Sequence, residues 1–174
     1  MEDHAIISRL RKLDTCALSD ALDRLKLGSV VTGITMQSGS GRIAGRAVTV
    51  KLGTGAPPGE VPKHLGATAV ERAGTDSVIV IEQRTGIEAA GWGGLLSLGA
   101  NLRGVQGVLC DGPVRDIDEA RALSFPVFAK SLTARTARGR IVELGTDIPI
   151  HFGEATVHSG DYVVADGSAI VFIA

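Results

Sequence analysis

Aromatic side chains are scarce. One Trp, one Tyr and four Phe occur in 174 residues, so the core has to be assembled from aliphatic side chains. Cysteine is nearly absent. Cys16 and Cys110 lie far apart, form no CxxC pair and have no His or Cys neighbours at zinc spacing. A disulfide framework and a structural zinc are excluded, and two buried free thiols in a reducing cytoplasm are expected. Neither charge sign dominates, with 18 Lys and Arg against 19 Asp and Glu. A domain held to nucleic acid by phosphate neutralisation would show a basic surplus. The cluster Arg135, Arg138 and Arg140 lacks aromatic company and reads as a solvated loop face. No apolar run is long enough to span a bilayer. The first eleven residues are charged and lack a long apolar stretch, so no signal peptide is expected.

What the chain has in plenty is glycine, 23 residues, which points to tight turns and close approaches of backbone. Its length suits a single domain over residues 1–174 with a real core. Apolar residues Ala17, Leu18, Ala21, Leu22 and Leu25 fall at helical spacing, with Asp14 or Thr15 as the cap and Gly28 as the stop. Residues 30–35 read as a short strand, 37–41 as a turn, and 42–52 as a strand bent at Gly45. The proline-rich stretch 53–62 must be a loop.

Helix and strand then alternate. Residues 63–73 read as a helix, 77–82 as an apolar strand and 94–103 as a helix with Leu95, Leu98 and Leu102 on one face. Residues 105–110 read as a strand, 116–123 as a short helix and 126–130 as a strand. Such alternation predicts parallel strands with crossover helices. Short strands at 140–144, 148–152, 162–165 and 169–173 close the chain. The pattern is α/β in the middle with β at both ends, which a layered β/β/α domain accommodates.

Two runs carry candidate chemistry. In GVQGVLCDGPVRD, residues 104–116, an apolar strand runs into a turn and then into Arg115 and Asp116 at the start of a helix. Ligand groups gather where strands end in such sheets. A carboxylate is a hard ligand for Mg²⁺ or Mn²⁺, and a guanidinium can hold a carbonyl or carboxylate beside it. Structural roles are equally consistent with the local pattern. Asp116 would favour a helix N-terminus by its charge, and Arg115 would pair with Glu119 at helical spacing. In GWGGLL, residues 91–96, glycines at a helix start expose N–H groups to an anion, or they simply make a tight turn. Elsewhere the signals are poor. Gly53-Thr54-Gly55 lacks the ending of a phosphate loop. His64 has no metal-spaced partner, and His151 and His158 read as structural or exposed. No GxSxG elbow exists.

Taken together, these runs resemble the RraA-like family, which includes regulators of ribonuclease activity and 4-hydroxy-4-methyl-2-oxoglutarate aldolases. LDTCALSDALDRL at 13–25, RIAGRAVTVK at 42–51, RGVQGVLCDGPVRD at 103–116, FPVFAK at 125–130 and SGDYVVADGSAIVFI at 159–173 carry the likeness in order. The resemblance implies a β/β/α swivelling-type fold, a homotrimer or hexamer, and sites at subunit boundaries. It implies that Asp116 binds Mg²⁺ or Mn²⁺ and that Arg115 contacts the carbonyl of a small 2-oxo acid. It also implies that N–H groups around Gly93, Gly94, Leu95 and Leu96 receive the substrate carboxylate.

The activity so implied is a divalent-metal-dependent carbon–carbon lyase, an aldolase or an oxaloacetate-type decarboxylase, working through a pyruvate enolate. The sequence departs from the aldolase pattern at one place. An acid thought to orient metal-bound water is replaced by Gly94. The general base is then unassigned, with Glu82, Glu88 and Asp76 as stand-ins. Two other functions are compatible with the residues. One is a non-catalytic regulator that binds a ribonuclease or helicase. The other is a divergent enzyme using the room at Gly94 for a larger substrate, with Trp92 as a wall.

Overall fold

The computed structural model describes residues 2–27, 29–59 and 63–174. It begins with α1 (Glu2–Leu10) and α2 (Thr15–Leu25), followed by β1 (Ser29–Val31), β2 (Thr35–Ser38) and β3 (Ile43–Gly53). The central part is α3 (Ala67–Arg72), β4 (Ser77–Glu82), α4 (Gly94–Leu102), β5 (Gly107–Val114), α5 (Ile117–Ala122) and β6 (Val127–Leu132). The chain closes with β7 (Val142–Thr146), β8 (Ile150–Phe152), β9 (Ala155–Val157), β10 (Tyr162–Ala165) and β11 (Ile170–Ile173). No helix among the described residues is long and apolar enough to cross a membrane.

One sheet organises the molecule, in the order β1-β11-β10-β3-β4-β5-β6-β2, with β7 also paired to β3. Its middle strands, β3 to β6, are parallel. β4 reads SVIVIE because both its faces are covered. Ile79 and Ile81 pack under α3, α4 and α5 with Val108, Leu96, Ala100 and Ala120. Val78 and Val80 pack on the opposite face with Leu109, Phe128 and the β8–β9 hairpin. The expected α/β architecture, helices on one face and further β structure on the other, is the one observed. A third cluster seats α1 and α2 on Ala44, Val164 and Val171.

Several boundaries differ from the sequence expectations. Asp14 does cap α2, accepting the Ala17 N–H at 2.7 Å. The helix stops at Lys26, which is left-handed at φ 55° and returns its N–H to Leu22 and Asp23; the expected stop, Gly28, lies outside the described residues. Thr15, Leu18 and Leu22 form the buried stripe of α2. Cys16 falls off that stripe and is exposed, so only Cys110 is a buried thiol.

The strand expected at 30–35 is two strands, because Gly33 at φ 78° breaks it. Gln37 and Ser38, expected in a turn, end a strand that bulges against β6. β3 continues through Gly45, where a Cβ would stand 2.8 Å from the Asp76 carbonyl oxygen. The helix expected at 63–73 starts only at Ala67, after the left-handed Gly66 at φ 80°. β5 runs past the expected turn at Asp111-Gly112 to Val114, with its register broken between Cys110 and Pro113. α1 and β9 were not foreseen. Leu95, Leu98 and Leu102 share a face of α4, but that face is exposed, and Leu96, Ser97 and Ala100 point into the core.

Candidate functional site

The parallel strands carry all their carboxyl ends to one edge, so α4 after β4 and α5 after β5 both begin there. The connection from β4 to α4 is held from within. Gln83, buried, donates to the carbonyls of Ile87 at 3.1 Å and Ala89 at 2.8 Å. The turn that follows is laced to the end of β5. Gly91 N–H donates to the Pro113 carbonyl at 2.9 Å, and Arg115 N–H donates to the Trp92 carbonyl at 3.0 Å. Trp92 is buried, stacked on Phe125, and its indole N–H donates to Ser97 Oγ at 2.8 Å. The glycines permit this closeness. A Cβ on Gly91 would meet Cys110 Sγ at 2.9 Å, and one on Gly93 would meet Asp116 Oδ2 at 3.0 Å. Cys110 is a packing residue; burial, and then the neighbouring Asp111, push its thiol far above the ordinary range.

These contacts set Gly93, Gly94, Leu95, Leu96, Arg115 and Asp116 along one wall of a cavity of about 870 Å³. The loop before β7 and β7 itself also line it, including Thr136, Arg138, Ile141 and Glu143. Glu143 is anchored there, accepting from Gly66 N–H at 2.8 Å and from the Thr146 hydroxyl. His64 and Arg138, set aside in the sequence, also line the cavity.

Asp116 precedes α5 in the left-handed conformation, φ 55° and ψ 37°, and makes no cap to its own helix. A non-glycine residue there is uncommon, although Asp tolerates it better than most. The conformation turns the carboxylate across to α4, where Oδ2 accepts the Gly94 N–H at 3.1 Å. Arg115 Nε donates to the same oxygen at 3.2 Å. Arg115 pairs with Asp116 rather than with Glu119, while Asp116 does stand at the start of α5, where negative charge is favoured, without a side-chain hydrogen bond to that helix. Asp116 Oδ1 and the terminal guanidinium nitrogens of Arg115 have no partner among the described residues, and both side chains are about a third exposed.

α4 leaves its first N–H groups unpaired by helix geometry. Gly94 gives its own to Asp116, and Ser97 returns its N–H to Gly93. The Leu95 and Leu96 N–H groups have no partner among the described residues, and both residues line the cavity at the positive end of the helix dipole. The arrangement thus offers an anion two N–H donors and a guanidinium, with an open carboxylate oxygen beside them.

No group of three His, Cys, Asp or Glu among the described residues is arranged to enclose a metal. Mg²⁺ keeps several of its waters and is held by as few as one or two carboxylates. Asp116 Oδ1 has the right chemistry to hold it.

The three stand-ins for the acid missing at Gly94 are elsewhere. Glu82 faces the hairpin, accepting His151 N–H at 2.7 Å with Lys51 at 3.7 Å. Glu88 pairs with Thr133 and Arg135 at the surface. Asp76 pairs with His4. The acid that does reach Gly94 is Glu119. A Cβ on Gly94 would fall 1.7 Å from Glu119 Oε2. Sequence reasoning considered Glu119 only as a partner for Arg115. Its place in the first turn of α5, three residues after Asp116, was the available signal.

A family model described as "RraA-like: Aldolase/RraA" matches residues 15–172. DlpA from Legionella pneumophila is 26% identical over 168 residues, 97% of this chain and 27% of that protein. A Halalkalibacterium halodurans protein named "Putative 4-hydroxy-4-methyl-2-oxoglutarate aldolase" is 28% identical over 172 residues, 96% of this chain and 75% of that one. Streptomyces coelicolor RraAS2, described as an unusual member of the RNase ES inhibitor RraA family, superposes with a TM-score of 0.85 at 23% identity. The alignment covers 98% of this chain and 86% of RraAS2, and it speaks for the fold. The chain spans less than half the length of two curated relatives it matches, 27% of one and 41% of the other.

Proposed function

The chain belongs to the RraA-like family, and from that premise we propose that it is a divalent-metal-dependent carbon–carbon lyase acting on a small 2-oxo acid. The observation that carries this reading is the convergence of Asp116 Oδ1, the Arg115 guanidinium and the Leu95 and Leu96 N–H groups on one cavity wall. The aldolase names of relatives such as the Halalkalibacterium halodurans protein support it.

The Leu95 and Leu96 N–H groups receive the substrate carboxylate at the α4 N-terminus. Arg115 directs its free guanidinium nitrogens to the 2-oxo oxygen. Asp116 would hold the cation; when bound, Mg²⁺ or Mn²⁺ supplies a Lewis acid for the 2-oxo group. When the adjacent carbon–carbon bond breaks, its electron pair moves into the pyruvate unit, and negative charge grows on the oxygen that Arg115 faces. A fixed donor at such a point lowers the barrier by about 3 kcal/mol. Loss of carbon dioxide from oxaloacetate places charge on the same oxygen without removing a proton, whereas retro-aldol cleavage also passes the 4-hydroxyl proton to water; in both, the enolate takes a proton from water at carbon to leave as pyruvate. A cavity of about 870 Å³ lies in the range of sites for sizeable ligands, so the fragment leaving with pyruvate can be large.

The exposed leucines of α4, Leu95, Leu98 and Leu102, support a homotrimer or hexamer with this wall near a contact between copies. Binding a ribonuclease or helicase without catalysis is the competing role. The open Asp116 and Arg115 groups favour the lyase because they line a cavity rather than a flat face.

The test is pyruvate release by purified protein with Mg²⁺ or Mn²⁺, from oxaloacetate and from a 4-hydroxy-2-oxo diacid. Pyruvate above the metal-only blank supports the reading. Pyruvate at the blank level with both substrates rejects it.

A further inference from the structure

Retro-aldol cleavage needs an acceptor for the 4-hydroxyl proton, and the cavity offers few. Lys63, Arg72, Arg115 and Arg138 line it as cations, which donate hydrogen bonds and have no lone pair to give. Three ionisable side chains of the lining can accept a proton: Asp116, Glu143 and His64. Asp116 takes the Gly94 N–H and Arg115 on one oxygen and keeps the other for the cation. Glu143 has both oxygens engaged, one by Gly66 N–H at 2.8 Å and one by the Thr146 hydroxyl.

His64 differs from both. Its Nδ1 stands 3.0 Å from the Leu65 carbonyl oxygen. A carbonyl only accepts, so this hydrogen bond puts the proton on Nδ1, and the neutral ring keeps its lone pair on Nε2. Nε2 has no partner among the described residues. The backbone around His64 is held in place. Its carbonyl accepts Ala67 N–H at 3.0 Å, and Gly66 is tied to Glu143 of β7. A Cβ on Gly66 would lie 3.1 Å from Leu96 Cδ1 and 3.8 Å from Trp92 Cζ3. His64 is thus two residues from the contact with Leu96, whose N–H receives the substrate carboxylate in the lyase reading.

We propose that His64 is the proton acceptor for carbon–carbon cleavage of 4-hydroxy-2-oxo acids, in place of water. The proposal rests on the lyase reading. Nε2 takes the 4-hydroxyl proton as the bond between C3 and C4 breaks. The O–H electron pair becomes the second bond of the leaving carbonyl, and the C3–C4 pair becomes the pyruvate enolate. The enolate then takes a proton from water, and the imidazolium returns its own to the hydroxide left behind. Loss of carbon dioxide from oxaloacetate has no hydroxyl proton to remove, so the two reactions should depend on His64 unequally.

The test compares both substrates on the purified full chain with Mg²⁺ or Mn²⁺, each above its metal-only blank. In His64→Gln, kcat for the 4-hydroxy-2-oxo diacid is expected to fall by about 10²-fold or more, and kcat for oxaloacetate far less. His64 is exposed, so imidazole added to His64→Ala is expected to speed cleavage and to leave the wild-type rate unmoved. Thermal midpoints separate lost chemistry from lost fold. Equal losses with the two substrates in a folded variant assign His64 a structural part and overturn the proposal. Cleavage that His64→Gln retains at the wild-type rate overturns it too, and the lyase reading stands. A wild-type protein that decarboxylates oxaloacetate and leaves the hydroxy acid intact has the same consequence. Pyruvate from neither substrate overturns both.

Discussion

Two sets of carboxylates flank the ends of β4 and β5, one on each face of the sheet. On the hairpin face, Glu82 and Asp111 are buried and engaged. Glu82 accepts His151 N–H and faces Lys51. Asp111 accepts Gly153 N–H at 2.9 Å and pairs with Lys130, with Arg84 at 3.7 Å. Together they fasten the β8–β9 hairpin to the strands. On the helix face, Asp116 keeps one oxygen free, and Glu119 has no described partner. Beside them lie unpaired N–H groups and the bare leucines of α4. A buried carboxylate is tolerable only when its partners are complete. A carboxylate with open valence at a cavity wall has capacity left for a ligand. The difference separates acids that hold the fold from acids that can do chemistry, and no count of acids makes that distinction.

The comparison breaks most visibly at Asp111. Asp111→Ala leaves the Gly153 N–H without its acceptor and takes the partner from the half-exposed Lys130, and should destabilise the protein by about 1–3 kcal/mol, read by urea unfolding. A loss under 1 kcal/mol would mean the hairpin is not held by this carboxylate. Asp116→Asn should do the opposite. Asparagine tolerates the same left-handed backbone and can still accept from Gly94, so the thermal midpoint should stay close to wild type. Pyruvate release should fall by about 10²–10³-fold, measured by a coupled lactate dehydrogenase assay. Equal activity in the two proteins would place the chemistry elsewhere.

Asp166 sharpens the engaged set. Burial works against its charge, but hydrogen bonds from the Thr15 hydroxyl and N–H, from Ser168 N–H and from Arg42 outweigh it and hold the carboxyl at about 2, below the ordinary 3.8. A folded value below the unfolded one stabilises above about pH 4, and that contribution is lost as the pH falls through about 2. Asp166→Asn should therefore cost about 1–2 kcal/mol at pH 7 after allowance for solvent screening. The difference from wild type should vanish in unfolding curves near pH 2; a gap that persists there assigns the cost to packing. The smallest effect on stability is expected at the bare leucines. Leu98→Glu with Leu102→Glu should change the monomer's stability by no more than about 0.5 kcal/mol, yet lower the mass seen by light scattering if this face joins copies. An unchanged mass places the contact on another surface.

Much of the fold was written locally. The alternation of apolar strands and helical stripes between residues 67 and 132 predicted parallel strands with crossovers, because burial of both strand faces leaves continuous runs such as SVIVIE. The ordered runs at 13–25, 42–51, 103–116, 125–130 and 159–173 were sufficient to recognise the family. Boundaries set by single left-handed residues, at Gly33, Gly66 and Asp116, were not legible, since local spacing carries no dihedral angle. Nor was the use of each acid. Glu82 and Glu119 look alike as letters. Only the packed chain puts one under a hairpin with Lys51 and His151 and the other over a glycine beside Asp116. The sequence determined which elements form and which side chains are available. The tertiary structure decided which carboxylates are already satisfied, because satisfaction depends on partners brought from distant parts of the chain.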